Sequence, residues 1–78
     1  MTERFYLTYP PDLIKEPLLY LVGKKFSVIT NIRVANVSHE MGLIALEMEG
    51  QLSEINLAVS WLQEQGVKVE PIEKNVIE

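Results

Sequence analysis

The chain has 78 residues, 47% hydrophobic and 23% charged, with seven basic against eleven acidic residues and a net charge of −4. That length suits one domain, expected here to run from 1 to 78, and the composition is that of a folded globular chain rather than a disordered one. The acidic balance, with no basic cluster beyond Lys24-Lys25, argues against a nucleic-acid partner, and the lack of cysteine excludes disulfides, thiolate metal sites and cysteine nucleophiles.

In chain order, Arg4 to Tyr9 alternates, with Phe5, Leu7 and Tyr9 on one face, and predicts a first strand closed by Pro10-Pro11. Pro17 suits the first turn of a helix, which the pattern carries to about Lys25. Leu18, Leu21 and Val22 make its inward stripe, and Lys24-Lys25 suit the negative end of its dipole. A second strand, about Val28 to Val37, is rich in β-branched residues. Alternation puts 28, 32 and 34 on an inward face and Asn31, Arg33 and Ala35 on the opposite one. Ser38 to Gly42 reads as a five-residue hairpin loop. Gly42 to Glu49 is the third strand, with Ile44, Leu46 and Met48 inward and Leu43, Ala45, Glu47 and Glu49 outward. Gly50-Gln51 ends it. A second helix follows from about Leu52 to Gln65, with Leu52, Ile55, Val59 and Leu62 at 3–4 spacing, and Gly66 stops it. Val67 to Glu70 is a last strand, and Pro71 beside it requires an edge or an end.

The order strand, helix, strand, strand, helix, strand, joined by right-handed crossovers, predicts an α+β chain of the ferredoxin-like type. Such a fold has a four-stranded antiparallel sheet with both helices on one face. The other face is then left for solvent, a ligand or a partner. The longest apolar run, Leu18 to Val22, is far below the ~20 residues that span a bilayer. Met1-Thr2-Glu3-Arg4 has no signal-peptide form, so the expected location is the cytoplasm.

Five segments, in order and at matching spacings, resemble the NIL domain family over about Phe5 to Ile72. They are Leu7-Thr8-Tyr9-Pro10, Glu16-Pro17-Leu18-Leu19-Tyr20, Phe26 to Ile32, Leu46-Glu47-Met48-Glu49-Gly50, and Ala58 to Glu70. The resemblance implies a dimerising, ferredoxin-like regulatory module that senses methionine behind the ATPase subunit of methionine ABC importers, and that also occurs alone. It carries no cofactor. With no Walker motif present, the expectation is a free-standing copy whose transporter ATPase or other protein partner comes from another chain. The family's Asn-Ile-Leu motif is matched by Asn31 and Ile32, while Arg33 stands in place of the aliphatic residue. The resemblance assigns ligand contact to Asn31, and a guanidinium at 33 favours a ligand that bears a carboxylate. Asn31, Ile32 and Arg33 are therefore the candidate ligand-binding residues, with methionine or a related amino acid as ligand and two copies pairing around it. The alternative is an assembly module that docks on an ATPase or another enzyme without a ligand of its own.

The bland readings bear on each candidate. An amide such as Asn31 offers two donors and two lone pairs to a ligand, but it also suits a bend or bulge in an exposed strand. Arg33 can grip a carboxylate in a fork, yet a five-residue loop would put it opposite Glu47, with Ala35 opposite Ala45, as a plain cross-strand salt bridge. Glu47 and Glu49 lie about 7 Å apart on a regular strand, but nothing encloses them as acid–base catalysis requires. His39 with Glu40 falls short of the three or four ligands of a metal site, and no Ser-His-Asp set is supported. No enzyme activity is expected. Trp61 and Tyr20 flank apolar stripes and fit the edge of a core; Tyr6 points to the open face. RNA-recognition domains share this order of elements, but they need aromatic and basic residues where this third strand has Leu43, Ala45, Glu47 and Glu49.

Overall fold

The computed structural model describes residues 1–72, so the predicted single domain of 1–78 extends at 73–78 beyond the described residues. Strand β1 (Thr2–Tyr9) leads through a 3₁₀ turn at Pro11–Leu13 into helix α1 (Leu18–Lys25). Strands β2 (Val28–Val37) and β3 (Gly42–Gly50) form a long hairpin, followed by helix α2 (Leu52–Gln65) and strand β4 (Lys68–Pro71). The four strands make one sheet in the order β2-β3-β1-β4, with every neighbouring pair antiparallel. This is the ferredoxin-like arrangement that the order of elements predicts.

The core forms where the alternating strands meet the helices. Phe5, Leu7 and Tyr9 of β1 and Leu46 and Met48 of β3 are buried in one cluster with Leu18 and Val22 of α1 and Ile55, Ala58 and Leu62 of α2. Both helices therefore lie on one face. Pairs across the ladder share a face, so Arg4, Tyr6 and Thr8 of β1 stand with Leu43, Ala45 and Glu47 of β3 on the open one. Gly66 closes α2 at φ 109°, in the left-handed region, and the Val67 N–H donates to the Leu62 carbonyl to satisfy the helix end. The Ser27 N–H donates to the Glu54 carboxylate at 2.9 Å, which ties the start of β2 to the first turn of α2. Trp61 is half-buried against Phe26, with ring centroids 6.3 Å apart, and so caps the core edge.

Several side-chain expectations are corrected. In α2, Ala58 rather than Leu52 belongs to the core, while Leu52 is exposed in the first turn and Val59 is half-buried. The small side chain of Ala58 lets the helix approach the sheet. Leu21 is half-buried in α1, where Leu18 and Val22 carry the packing. The hairpin loop has four residues, because Gly42 already pairs with Val37, and Ser38 closes it by N–H and Oγ contacts to the Met41 carbonyl. The last strand begins at Lys68, and Pro71 is its final residue on the outer edge of the sheet, where a missing N–H is tolerated.

The largest correction concerns β2. Val28 is buried, but Ile32 and Val34 are 53% and 55% exposed, and every residue from 31 to 37 faces solvent. The two helices cover β1, β3 and the first residues of β2, and the far half of this edge strand has no layer above it. The pairing also shifts between Ile32 and Val34, so that Asn31 faces Glu47, Ile32 faces Leu46, Val34 faces Ala45 and Ala35 faces Ile44. Arg33 is the extra residue of a β-bulge. It is not Glu47's ladder partner, and Ala35 falls on the helix side of the sheet.

Tyr9 provides a pH test of this packing. The residue is 5% exposed, and burial raises its phenol above the ordinary value of 10.0. Burial disfavours the phenolate, so the folded chain keeps a proton that the unfolded chain releases near pH 10. The stability tied to this group is complete below that pH and is lost as pH climbs from there through the folded pKa. Urea midpoints measured from pH 8 to 11 are expected to fall more steeply for the wild type than for Tyr9→Phe. Parallel curves would show that Tyr9 ionises alike in both states.

Candidate functional site

The open face carries one cluster of converging charges. Arg4 on β1 and Arg33 at the β2 bulge flank Glu47 on β3, between the two strands. Arg4 Nε donates to Glu47 Oε2 at 3.0 Å, and Arg33 Nη1 donates to the same oxygen at 3.1 Å. The two arginine side chains are 58% and 60% exposed, whereas Glu47 is 14% exposed between them. Ion pairs with partners this exposed contribute about 0–1 kcal/mol each, so the cluster adds little to stability.

The bulge is what places Arg33 there. From the hairpin end, where Val37 pairs with Gly42 and Ala35 with Ile44, a regular ladder would set Arg33 opposite Leu46 on the helix side. The extra residue instead lets the guanidinium reach Glu47 on the open face. Bulges commonly re-aim side chains in this way beside functional sites.

A concavity of about 220 Å³ opens at this cluster, lined by Arg4, Arg33, Ala45, Leu46, Glu47 and Ile72. It is smaller than the roughly 300–1,000 Å³ of pockets for drug-sized ligands, and so suits a small molecule. A second groove, about 200 Å³ and mostly apolar, lies on the helix side between the start of α1 and the far end of the hairpin. Tyr9, Leu18, Tyr20, Val37 and Ile44 are among its walls, and it includes none of the three candidate residues.

The three candidates separate. Asn31 is exposed and faces Glu47 across the ladder, on the same side as Arg33. Ile32 pairs with Leu46 and belongs to the opposite side of the sheet. Arg4 is the residue that sequence reasoning missed. Its signal was present in the alternation of β1, which turns Arg4 away from Phe5 and Leu7, but its neighbourhood with Glu47 depends on the β1–β3 register.

The outer edge of β2 is a second feature. It is one margin of the sheet, and Ile29, Ile32, Val34 and Val37 expose 53–67% of their surface along it. Long apolar edge strands are templates for pairing with another chain. No helix among the described residues is long and apolar enough to cross a membrane.

Known proteins share the chain's sequence pattern and its fold. The family model described as "NIL domain" matches residues 3–71. The methionine import ATP-binding protein MetN 1 of Bacillus cereus is 44% identical over 59 residues, covering 70% of this chain and 17% of that protein. Its namesake in Listeria monocytogenes is 35% identical over 66 residues, covering 80% of this chain and 20% of the relative. The chain thus spans about a fifth or less of the length of these relatives. The crystal structure of the C-terminal domain of an ABC transporter/ATP-binding protein from Enterococcus faecalis superposes with a TM-score of 0.80 at 18% identity. That match covers 94% of this chain and 86% of the other, and supports the fold.

Proposed function

The chain belongs to the NIL domain family, and from that premise we propose that it is a small-molecule-binding regulatory module that senses methionine or a related amino acid where two copies meet. It works in the cytoplasm and acts on a transporter ATPase rather than catalysing a reaction itself. One observation carries this reading. Asn31 pairs across the ladder with Glu47, a wall of the small charged concavity, on an apolar strand that lies at the margin of the sheet. A second copy pairing there would cover the apolar edge and bring a second Asn31 near the first. The relatives named as methionine import ATP-binding proteins make methionine the first ligand to try.

The same edge favours a second reading, a docking module that meets its ATPase or another enzyme without a ligand of its own. A titration separates the two. Isothermal titration with L-methionine is expected to give saturable heat for the wild type. Asn31→Ala should weaken binding at least about tenfold, since hydrogen bonds to charged groups contribute about 1.5–3 kcal/mol and ~1.4 kcal/mol is tenfold. Its circular dichroism should not change. Sedimentation with and without methionine reads the pairing. No heat from any of the twenty amino acids would overturn the sensor reading in favour of docking.

A further inference from the structure

The Arg4–Glu47–Arg33 cluster has an asymmetry that a simple salt bridge does not require. Both guanidinium groups donate to Oε2 of Glu47, and among the described residues no hydrogen bond reaches Oε1. Each guanidinium has five N–H donors in a planar fork, and each commits one of them to Glu47. Within the cluster two guanidinium groups share one carboxylate, on a face that also carries Glu49 of β3 and Glu70 of β4. The least exposed member is the carboxylate, at 14%. The concavity beside it adds apolar wall from Ala45 and Ile72. The bulge at Arg33 is an independent sign, because it carries the guanidinium to the side of the sheet where Arg4 and Glu47 stand.

We infer that this cluster receives the charged head of a free α-amino acid. The ligand's carboxylate lies on the uncommitted N–H groups of Arg4 and Arg33 and accepts from the amide of Asn31, which faces Glu47 across the ladder. Its ammonium donates to Glu47 Oε1, and its side chain rests against Ala45 and Ile72. The inference rests on the amino-acid reading above and gives that ligand an orientation. Arginine forks match carboxylates in charge and in plane. A ligand without the ammonium meets a half-shielded carboxylate with nothing to donate to it. A ligand without the carboxylate adds a cation beside two guanidinium groups. A site built to pair with both groups rejects analogues that lack either one.

The test is made on the full chain with three probes: L-methionine, 4-(methylthio)butanoate, which lacks the ammonium, and methioninol, which lacks the carboxylate. Methionine is expected to bind, and each analogue to bind more than tenfold more weakly. Glu47→Gln and Arg33→Leu should each weaken methionine binding more than tenfold while melting temperature stays within a few degrees. Arg33→Lys, which keeps the charge and loses the fork, should fall between wild type and Arg33→Leu. Methionine should also shift the Nε–H signals of Arg4 and Arg33 in nuclear magnetic resonance spectra. If methionine binds the wild type, Glu47→Gln and Arg33→Leu equally, or if the butanoate binds as methionine does, the head-group site is overturned and the sensor reading stands. If none of the twenty amino acids binds, the sensor reading falls and this site falls with it.

Discussion

Leu7→Ala is expected to remove about 2–5 kcal/mol of folding stability, the range for truncating a fully buried leucine. Leu7 is 0% exposed on β1, an interior strand, with Ile44 of β3 and Val69 of β4 as its ladder neighbours. Helices cover its only other side, so no surface group can move in to fill the space left. A domain of 78 residues has about 4–12 kcal/mol in total at ~0.05–0.15 kcal/mol per residue. The variant should therefore melt roughly 10 °C or more below wild type, and its urea midpoint should fall with little change in slope. Tyr6→Ala, one residue away on the open face and 46% exposed in the wild type, provides the contrast. If the two variants lose equal stability, the one-sided core described here is wrong.

Gly50→Ala is expected to cost about 1–3 kcal/mol, the usual range for forcing extra volume into a tight site. A Cβ at this position would lie 2.7 Å from the Ser27 carbonyl oxygen and 3.3 Å from Val28 Cγ1. The first of these is a backbone atom and cannot rotate away. Gly50 pairs with Val28 at the open end of the β2–β3 hairpin, and it exchanges hydrogen bonds with the chain start, its N–H to the Met1 carbonyl and Met1's ammonium to its own. Pushing it aside would disturb both edges of β3 together. Gly23→Ala is the natural comparison, because nothing lies within 4 Å of the added carbon there and alanine favours a helix. Equal losses at both positions would contradict the close approach at Gly50.

The strands and helices were legible because their local signals agree. Alternation in Arg4 to Tyr9 and in Gly42 to Glu49 marked the inward faces of β1 and β3: β1 buries Phe5, Leu7 and Tyr9, and β3 buries Leu46 and Met48 with Ile44 half-buried beside them. β2 was legible in extent and misleading in burial. Its β-branched composition looks the same whether a helix covers the strand or solvent does, and Ile32 and Val34 turned out exposed. Asn31 and Arg33 were visible as polar residues in an apolar strand. Arg4 was not, since a lone arginine on an outward position is ordinary until a partner stands across from it.

The sequence by itself determined the order of elements and the inward faces of β1 and β3, because periodicity, proline and glycine act over a few residues. The NIL family was legible in five matching segments, and its model matches residues 3–71. Only the tertiary structure decided which charged side chains meet on the open face. Ladder pairing set β3 between Arg4 and Arg33, and a single extra residue at 33 turned a guanidinium from the helix side to Glu47. A strand's side chains repeat every two residues, so a one-residue shift exchanges its faces. Where that shift falls depends on the pairing of two strands, which no pattern within either strand encodes.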